Sequence, residues 1–182
     1  MLRICFYGGP GVGKSTLAAL VYAELNQVGV RAELVQEFIK LWAYEGRQPD
    51  AYDQVYTFAN QLWAEHRLAR AGVRVVVTDS PVLLQCVYTA KLNQEFARHL
   101  RTIAMIFEAA HTSLNFFVKR TVAFNPHGRF QTDAEVARKF DERIMDYLNT
   151  VGVHFLEVTP EERESIIQTV KSRLFRRDLM EG

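Results

Sequence analysis

The residues of this chain best placed to do chemistry are Gly8-Gly9-Pro10-Gly11-Val12-Gly13-Lys14-Ser15-Thr16, a run of the form G-x-x-x-x-G-K-[ST]. Glycines let successive backbone N–H groups turn inward around anionic oxygens, and a helix starting at the end of the run adds its positive dipole end. The amides of Gly9, Gly11, Val12, Gly13 and the residues up to Thr16 would form such a cradle. Lys14 then reaches the β/γ-phosphates and Ser15 can ligate Mg²⁺. The fixed positions of the motif coincide by chance in a chain of this length with a probability on the order of one per cent. An apolar run, Leu2-Arg3-Ile4-Cys5-Phe6-Tyr7, comes directly before the loop, and a helical pattern follows it. Nucleoside-triphosphate binding is the first functional expectation.

Further candidates stand where other apolar runs end. Glu37 follows Leu34-Val35-Gln36, and a carboxylate there could orient an attacking hydroxyl or take its proton. Asp79 closes Val75-Val76-Val77-Thr78, the position of a carboxylate that holds Mg²⁺ beside a phosphate loop, although Asp-Ser-Pro is also turn chemistry. Arg120 and Arg129 bracket a polar stretch containing Asn125-Pro126-His127-Gly128, and Arg138 follows. Arginines on a hinged flap could cover a transferring phosphoryl group, with Arg129 the first choice and Arg120 the next. Gln54, Phe58, Gln61 and Glu65 share one helical face. That face either meets solvent or enters a cleft, where Gln61 could read a base edge and Phe58 stack on it. Trp42 and Tyr44 could likewise stack on a substrate base or simply pack, and Tyr88 is less telling still.

The elements that must position these residues follow from periodicity. Helical patterns repeatedly end in a glycine that leads into an apolar run: Gly29, Gly72 and Gly152. Strands are expected near 2–7, 32–36, 73–79, 114–119 and 153–158. Between them, Pro49-Asp50 opens a helix in which Tyr52, Val55, Tyr56, Ala59, Leu62, Trp63 and Leu68 recur at helical spacing. Gln94–Ala110 should turn Phe96, Leu100, Ile103, Ala104 and Phe107 inward. Thr132-Asp133-Ala134-Glu135 reads as a capping box opening a helix with Val136, Phe140, Ile144 and Tyr147. Pro160-Glu161-Glu162 starts the last helix, and the tail from Arg173 to Gly182 should fray. Alternating strands and helices imply right-handed crossovers and a three-layer α/β domain covering 1–182, with a lid at about 120–132. Ligands of such sheets collect at the C-terminal strand ends, where the loop, Glu37, Asp79 and Lys119-Arg120 converge.

Composition narrows the class. The chain has 182 residues, 48% of them hydrophobic and 24% charged, with a formal net charge of +1. That balance is globular, and it neither requires nor excludes a nucleic-acid partner. No long apolar run suggests a membrane span or leader, and the two cysteines, Cys5 and Cys86, have no metal-ligand spacing. Both read as reduced core thiols of a cytoplasmic protein.

The phosphate loop, Glu37, Val77-Thr78-Asp79-Ser80-Pro81 and the arginine-bearing stretch together resemble the P-loop nucleoside/nucleotide kinase superfamily. The similarity is greatest to small kinase-like ATPases, a group that includes nicotinamide-riboside kinase domains and many bacteriophage proteins. The resemblance implies a parallel sheet of order 2-3-1-4-5, MgATP as donor, and an acceptor bound between Glu37, helix 51–70 and the lid. It assigns Glu37 as base, Lys14 and the loop as donor site, and Ser15 with Asp79 as Mg²⁺ ligands. Nucleoside kinases carry an arginine between the acidic residue and the serine after their third strand; Asp79-Ser80-Pro81 lacks it, which argues against a free deoxynucleoside. The acceptor is then a nucleoside, a nucleotide, or a hydroxymethylated pyrimidine within DNA, as phosphorylated by some phage members. A basic surface of Lys119, Arg120, Arg129, Arg138 and Lys139 would serve the last. The rivals are an ATPase or nucleotide-dependent switch acting on a partner, and a binding module that keeps nucleotide for stability; without a second oligomerisation domain an AAA-type motor is the less expected. Oligomeric state is not legible.

Overall fold

The strand β1 (Leu2–Tyr7) is buried along its whole length, and the rest of the molecule is assembled on it. The computed structural model describes residues 1–121 and 133–181, with side chains described to residue 175. Alternation along β1 sends Leu2, Ile4 and Phe6 to one face, and Arg3, Cys5 and Tyr7 to the other. On the first face lie α1 (Lys14–Gln27) and α7 (Arg163–Glu181), which contribute Leu17, Val21, Ile166 and Val170 to a core with Ile4 and Phe6. The second face receives α3 (Ala51–Arg70), α4 (Val82–Leu92), α5 (Gln94–Ala109) and α6 (Ala134–Thr150). There Phe58, Leu83, Leu100 and Ile144 pack with Cys5 and Tyr7.

The sheet is completed by β2 (Ala32–Val35), β3 (Val75–Thr78), β4 (Thr112–Val118) and β5 (Leu156–Val158). All pairs are parallel and the order is β2-β3-β1-β4-β5. This is the doubly covered α/β architecture and strand order that the resemblance implied.

Some boundaries differ from expectation, for reasons visible in the backbone. Gly72 adopts φ 77°, and the Val73 N–H bonds back to Leu68 O at 3.0 Å. The helix cap thus consumes the amide of Val73, and β3 begins only at Val75. The Val153 N–H does the same with Leu148 O at 2.9 Å, which shortens β5. The short α2 (Lys40–Tyr44) and the whole of α4 were not anticipated. The cap of α6 is Asp133 rather than Thr132: its Oδ1 accepts from Glu135 N–H at 2.6 Å and Val136 N–H at 3.1 Å. A 3₁₀ turn at Pro160–Glu162 precedes α7, and α7 runs to Glu181 instead of fraying from Arg173. Ile103 is exposed, not inward.

The largest correction concerns α3. Its apolar Tyr52, Val55, Tyr56 and Trp63 are exposed, whereas Gln54, Thr57, Phe58, Gln61 and Glu65 are buried. The polar stripe is the inner face because buried partners await it. Glu65 Oε2 accepts from Arg3 Nε at 2.7 Å, and Gln61 Nε2 donates to Thr78 Oγ1 at 3.3 Å. Arg3 also pairs with Glu108 of α5 and donates to Ser113 Oγ at 3.1 Å, with its guanidinium 4.9 Å from the Phe107 ring centroid.

Candidate active site

The phosphate loop joins β1 to α1, and its path is dictated by close backbone approaches. Gly8 has φ 134°, and a Cβ there would lie 2.7 Å from Val118 O at the end of β4. Only glycine satisfies both constraints. Val12 is fully buried and packs into the core beneath the loop. Lys14 opens α1, and its Nζ donates to Gly9 O at 2.9 Å, which places the ammonium back over the loop.

A cavity of about 210 Å³ opens at this edge of the sheet. The loop and first turn of α1 supply Gly11, Gly13, Lys14, Ser15 and Thr16. Glu37 and Lys40, from the end of β2 and start of α2, line it as well. Gln54 enters from α3, and Gln85, Tyr88 and Lys91 from α4. Three lysines and one glutamate therefore face the same space, a cavity of positive balance suited to anionic ligands.

Asp79 is buried at 3% exposure, and its Oδ1 accepts from Glu37 N–H at 2.9 Å. One carboxylate thus locks the residue after β2 to the end of β3, so Glu37 and Asp79 are brought together as expected. Among the described residues no cluster of three His, Cys, Asp or Glu side chains could hold a metal alone. Mg²⁺, however, is ordinarily held by one or two carboxylates and a hydroxyl, with phosphate oxygens and waters completing the shell. Ser15 lines the cavity and Asp79 closes β3, a hydroxyl and a carboxylate of the types such a shell uses.

The other expected residues divide. Phe58 is packed in the core at 3% exposure, and Gln61 at 1% is turned to Thr78, so neither reaches the cavity. Gln54, two turns earlier on the same stripe, does. Trp42 is not a cavity residue: the Arg47 guanidinium lies 3.6 Å from its ring centroid, and Phe38 meets its edge. Arg120 lies over the loop. Its Nε donates to Asp141 Oδ2 at 2.8 Å, while Nη2 donates to Pro10 O at 2.9 Å and Asp141 Oδ1 at 3.2 Å. Arg129, His127 and most of the expected lid fall in 122–132, outside the described residues. The expected basic surface is largely neutralised: Lys119 pairs with Glu157, Lys139 with Glu135 and Arg120 with Asp141.

Gln85 and Asp141 escaped the sequence, and Tyr88 was the weakest of its stacking candidates. Gln85, at 3% exposure, donates from Nε2 to Ser80 Oγ at 2.8 Å, and it interrupts the apolar run Val82-Leu83-Leu84. A lone amide in an apolar helix is a signal that could have been read. Tyr88 stands on the cavity wall with its ring 5.5 Å from that of Phe140. Asp141 gave no local signal, because both its partners lie far away in sequence. Both cysteines are buried thiols, and burial pushes that of Cys86 up to about 11 and that of Cys5 further.

A parallel sheet of this order, with a glycine-rich loop cradled between its central strand and the following helix, defines a P-loop domain of the NTPase and kinase superfamily. Within that class the chain belongs to an AAA domain family, AAA_28, whose model matches residues 3–165. A solved structure described as "Crystal structure of NadR protein in complex with NAD and AMP-PNP" is similar with a TM-score of 0.69 at 17% identity, over 93% of this chain and 48% of that one. Another, "Crystal structure of NadR protein in complex with NR", gives 0.65 at 18% identity, over 85% of this chain and 43% of that one. The chain thus spans about half the length of these structures. No curated protein matches it.

Proposed function

We propose that the protein is an ATP-dependent kinase that moves the γ-phosphoryl group to a nucleoside-type acceptor. The observation that carries this reading is the shared cavity, in which a phosphate loop faces Glu37, Gln54, Gln85 and Tyr88. A switch that only hydrolyses nucleotide has no need of such a second, amide- and aromatic-lined wall.

In this mechanism the loop amides and Lys14 hold the β- and γ-phosphates, and the bond from Lys14 to Gly9 O sets the ammonium in place beforehand. Ser15 and Asp79 would hold Mg²⁺, which neutralises charge developing on the phosphate oxygens. Glu37, whose backbone N–H donates a hydrogen bond to Asp79 Oδ1, orients the acceptor hydroxyl and takes its proton. Gln54 and Gln85 offer paired donors and acceptors to a base edge, and Tyr88 a stacking face. Lys40 and Lys91, which pair with no carboxylate among the described residues, suit an acceptor that itself carries phosphate, whether a free nucleotide or a hydroxymethylated base in DNA.

The test is transfer from labelled ATP to nucleosides, nucleoside monophosphates, plain DNA and hydroxymethylated DNA. Label in one of these acceptors is the expected result. Steady ATP hydrolysis with no labelled acceptor in any arm would overturn the kinase reading in favour of a nucleotide-driven switch.

A further inference from the structure

We propose that Asp141 is a positioning residue of the nucleotide site, fastening the opening turn of the phosphate loop and holding Arg120 against it. The inference rests on the reading of that loop as the donor site, and it is independent of which acceptor is used.

The geometry is specific. Asp141 Oδ1 accepts from Gly9 N–H at 2.7 Å across 132 residues of sequence. The same carboxylate takes Arg120 through Oδ2 at 2.8 Å and Oδ1 at 3.2 Å. Arg120 in turn donates to Pro10 O at 2.9 Å, and Lys14 to Gly9 O at 2.9 Å. The loop's first turn is therefore gripped at one amide and two successive carbonyls, all by charged groups. Charge-assisted bonds of this kind are about twice as strong as neutral ones.

The sequence accommodates the grip. A Cβ on Gly9 would overlap Asp141 Oδ1 and approach Ala137 O to 3.1 Å. Gly9 is thus small because α6 comes this close, and no phosphate is needed to explain it. On α6, Asp141 extends the buried stripe Ala137, Ile144, Leu148 toward the loop, at 16% side-chain exposure. With the Gly9–Pro10 peptides fixed, the amides that follow are aimed before nucleotide arrives, and the ordering cost is not charged to binding. An ion pair that served only to dock α6 would not need to contact the loop backbone at both of these residues.

The experiment compares the affinity for AMP-PNP with Mg²⁺ in the parent, Asp141→Ala, Asp141→Asn, Gly9→Ala, Arg120→Ala and the Asp141→Ala/Arg120→Ala double variant, well below their melting temperatures. Asp141→Ala should bind about tenfold more weakly, and Gly9→Ala, which displaces the carboxylate, should do the same. Asp141→Asn should lose only a few-fold, since its amide oxygen still accepts from Gly9 N–H but offers Arg120 no charge. The double variant should bind within about twofold of the weaker single, because the two residues act as a unit. Unchanged affinity in folded variants, even with lowered melting temperatures, would reduce Asp141 to a structural ion pair. Fully multiplicative losses would also overturn the proposal. If Asp141→Ala does not fold, Asp141→Asn and Gly9→Ala decide. Failure of the parent to bind AMP-PNP would remove the donor-site reading, and this inference with it.

Discussion

Two clusters of charge share β1 and its neighbours, and they are built in opposite ways. Around Arg3 the guanidinium and the carboxylate of Glu65 are fully buried, with Glu108 beside them. Every charge there is answered by another side chain, and the cluster ties α3 and α5 to the central strand. Beyond Tyr7, Lys14 and Glu37 line a cavity instead. There Lys14 and Asp79 bond to the backbone, at Gly9 O and the Glu37 amide, while Arg120 is shared between the Asp141 carboxylate and Pro10 O. The first arrangement clamps helices to a strand in the interior, whereas the second sets its charged groups at and beside the wall of a cavity. Helix α3 spans both regions, with Gln54 at the cavity and Glu65 at Arg3, roughly 16 Å apart along the axis at 1.5 Å per residue.

The contrast is broken most severely at Arg3. Arg3→Ala leaves two carboxylates without their partner, and should cost about 3–5 kcal/mol in urea denaturation. If the loss is under about 1 kcal/mol, the cluster is not the clamp described here. Lys14→Ala should do the reverse, lowering ATP turnover by about 10²–10³ while the urea midpoint stays near that of the parent. Glu37→Gln separates the two halves of the cavity. It should leave AMP-PNP affinity within about twofold and cut phosphoryl transfer about 10²-fold, the lower end for a lost general base. Transfer at the parent rate would remove Glu37 from that role.

The smallest effect is a slope with pH. Burial raises the Glu65 carboxyl above its ordinary 4.5, against the lowering pull of Arg3. The folded protein therefore keeps this proton at pH values where the unfolded chain has released it. The resulting stability is present below about pH 4.5 and is lost as pH rises through the elevated value. Glu65→Gln lacks this titration. Relative to the variant, the parent should lose stability as pH climbs from 4.5 toward neutrality, read as the difference in urea midpoints. A difference that stays flat with pH would show that Glu65 titrates normally.

Much of the fold was legible because it is written locally. The loop spacing, the glycine-ended helices and the β-branched runs each carry their own signal within a few residues, and the five expected strands stand close to their expected places. Glu37 and Asp79 were legible for a similar reason, since strand ends in such sheets point to one edge. The stripe on α3 was visible as a stripe, but periodicity records only that Gln54, Phe58, Gln61 and Glu65 share a face. It does not say what they face. Burying amides and a carboxylate is costly unless partners wait for them, and here the partners are Thr78 and Arg3 on other strands. Trp42 does not line the cavity, and Arg47 covers its ring while Phe38 meets it in a T-shaped contact.

The sequence by itself determined that a phosphate loop lies between a buried strand and a helix, because close-packed backbone turns leave glycine no substitute. It determined a three-layer parallel α/β domain through the crossovers that such alternation permits, and the strand order through the family resemblance. Only the tertiary structure decided which carboxylate meets which cation. Asp141 and Gly9 are 132 residues apart, and Arg3 and Glu65 are 62 apart. Pairs of that span leave no local pattern, since their energy exists only once the sheet has brought the helices together.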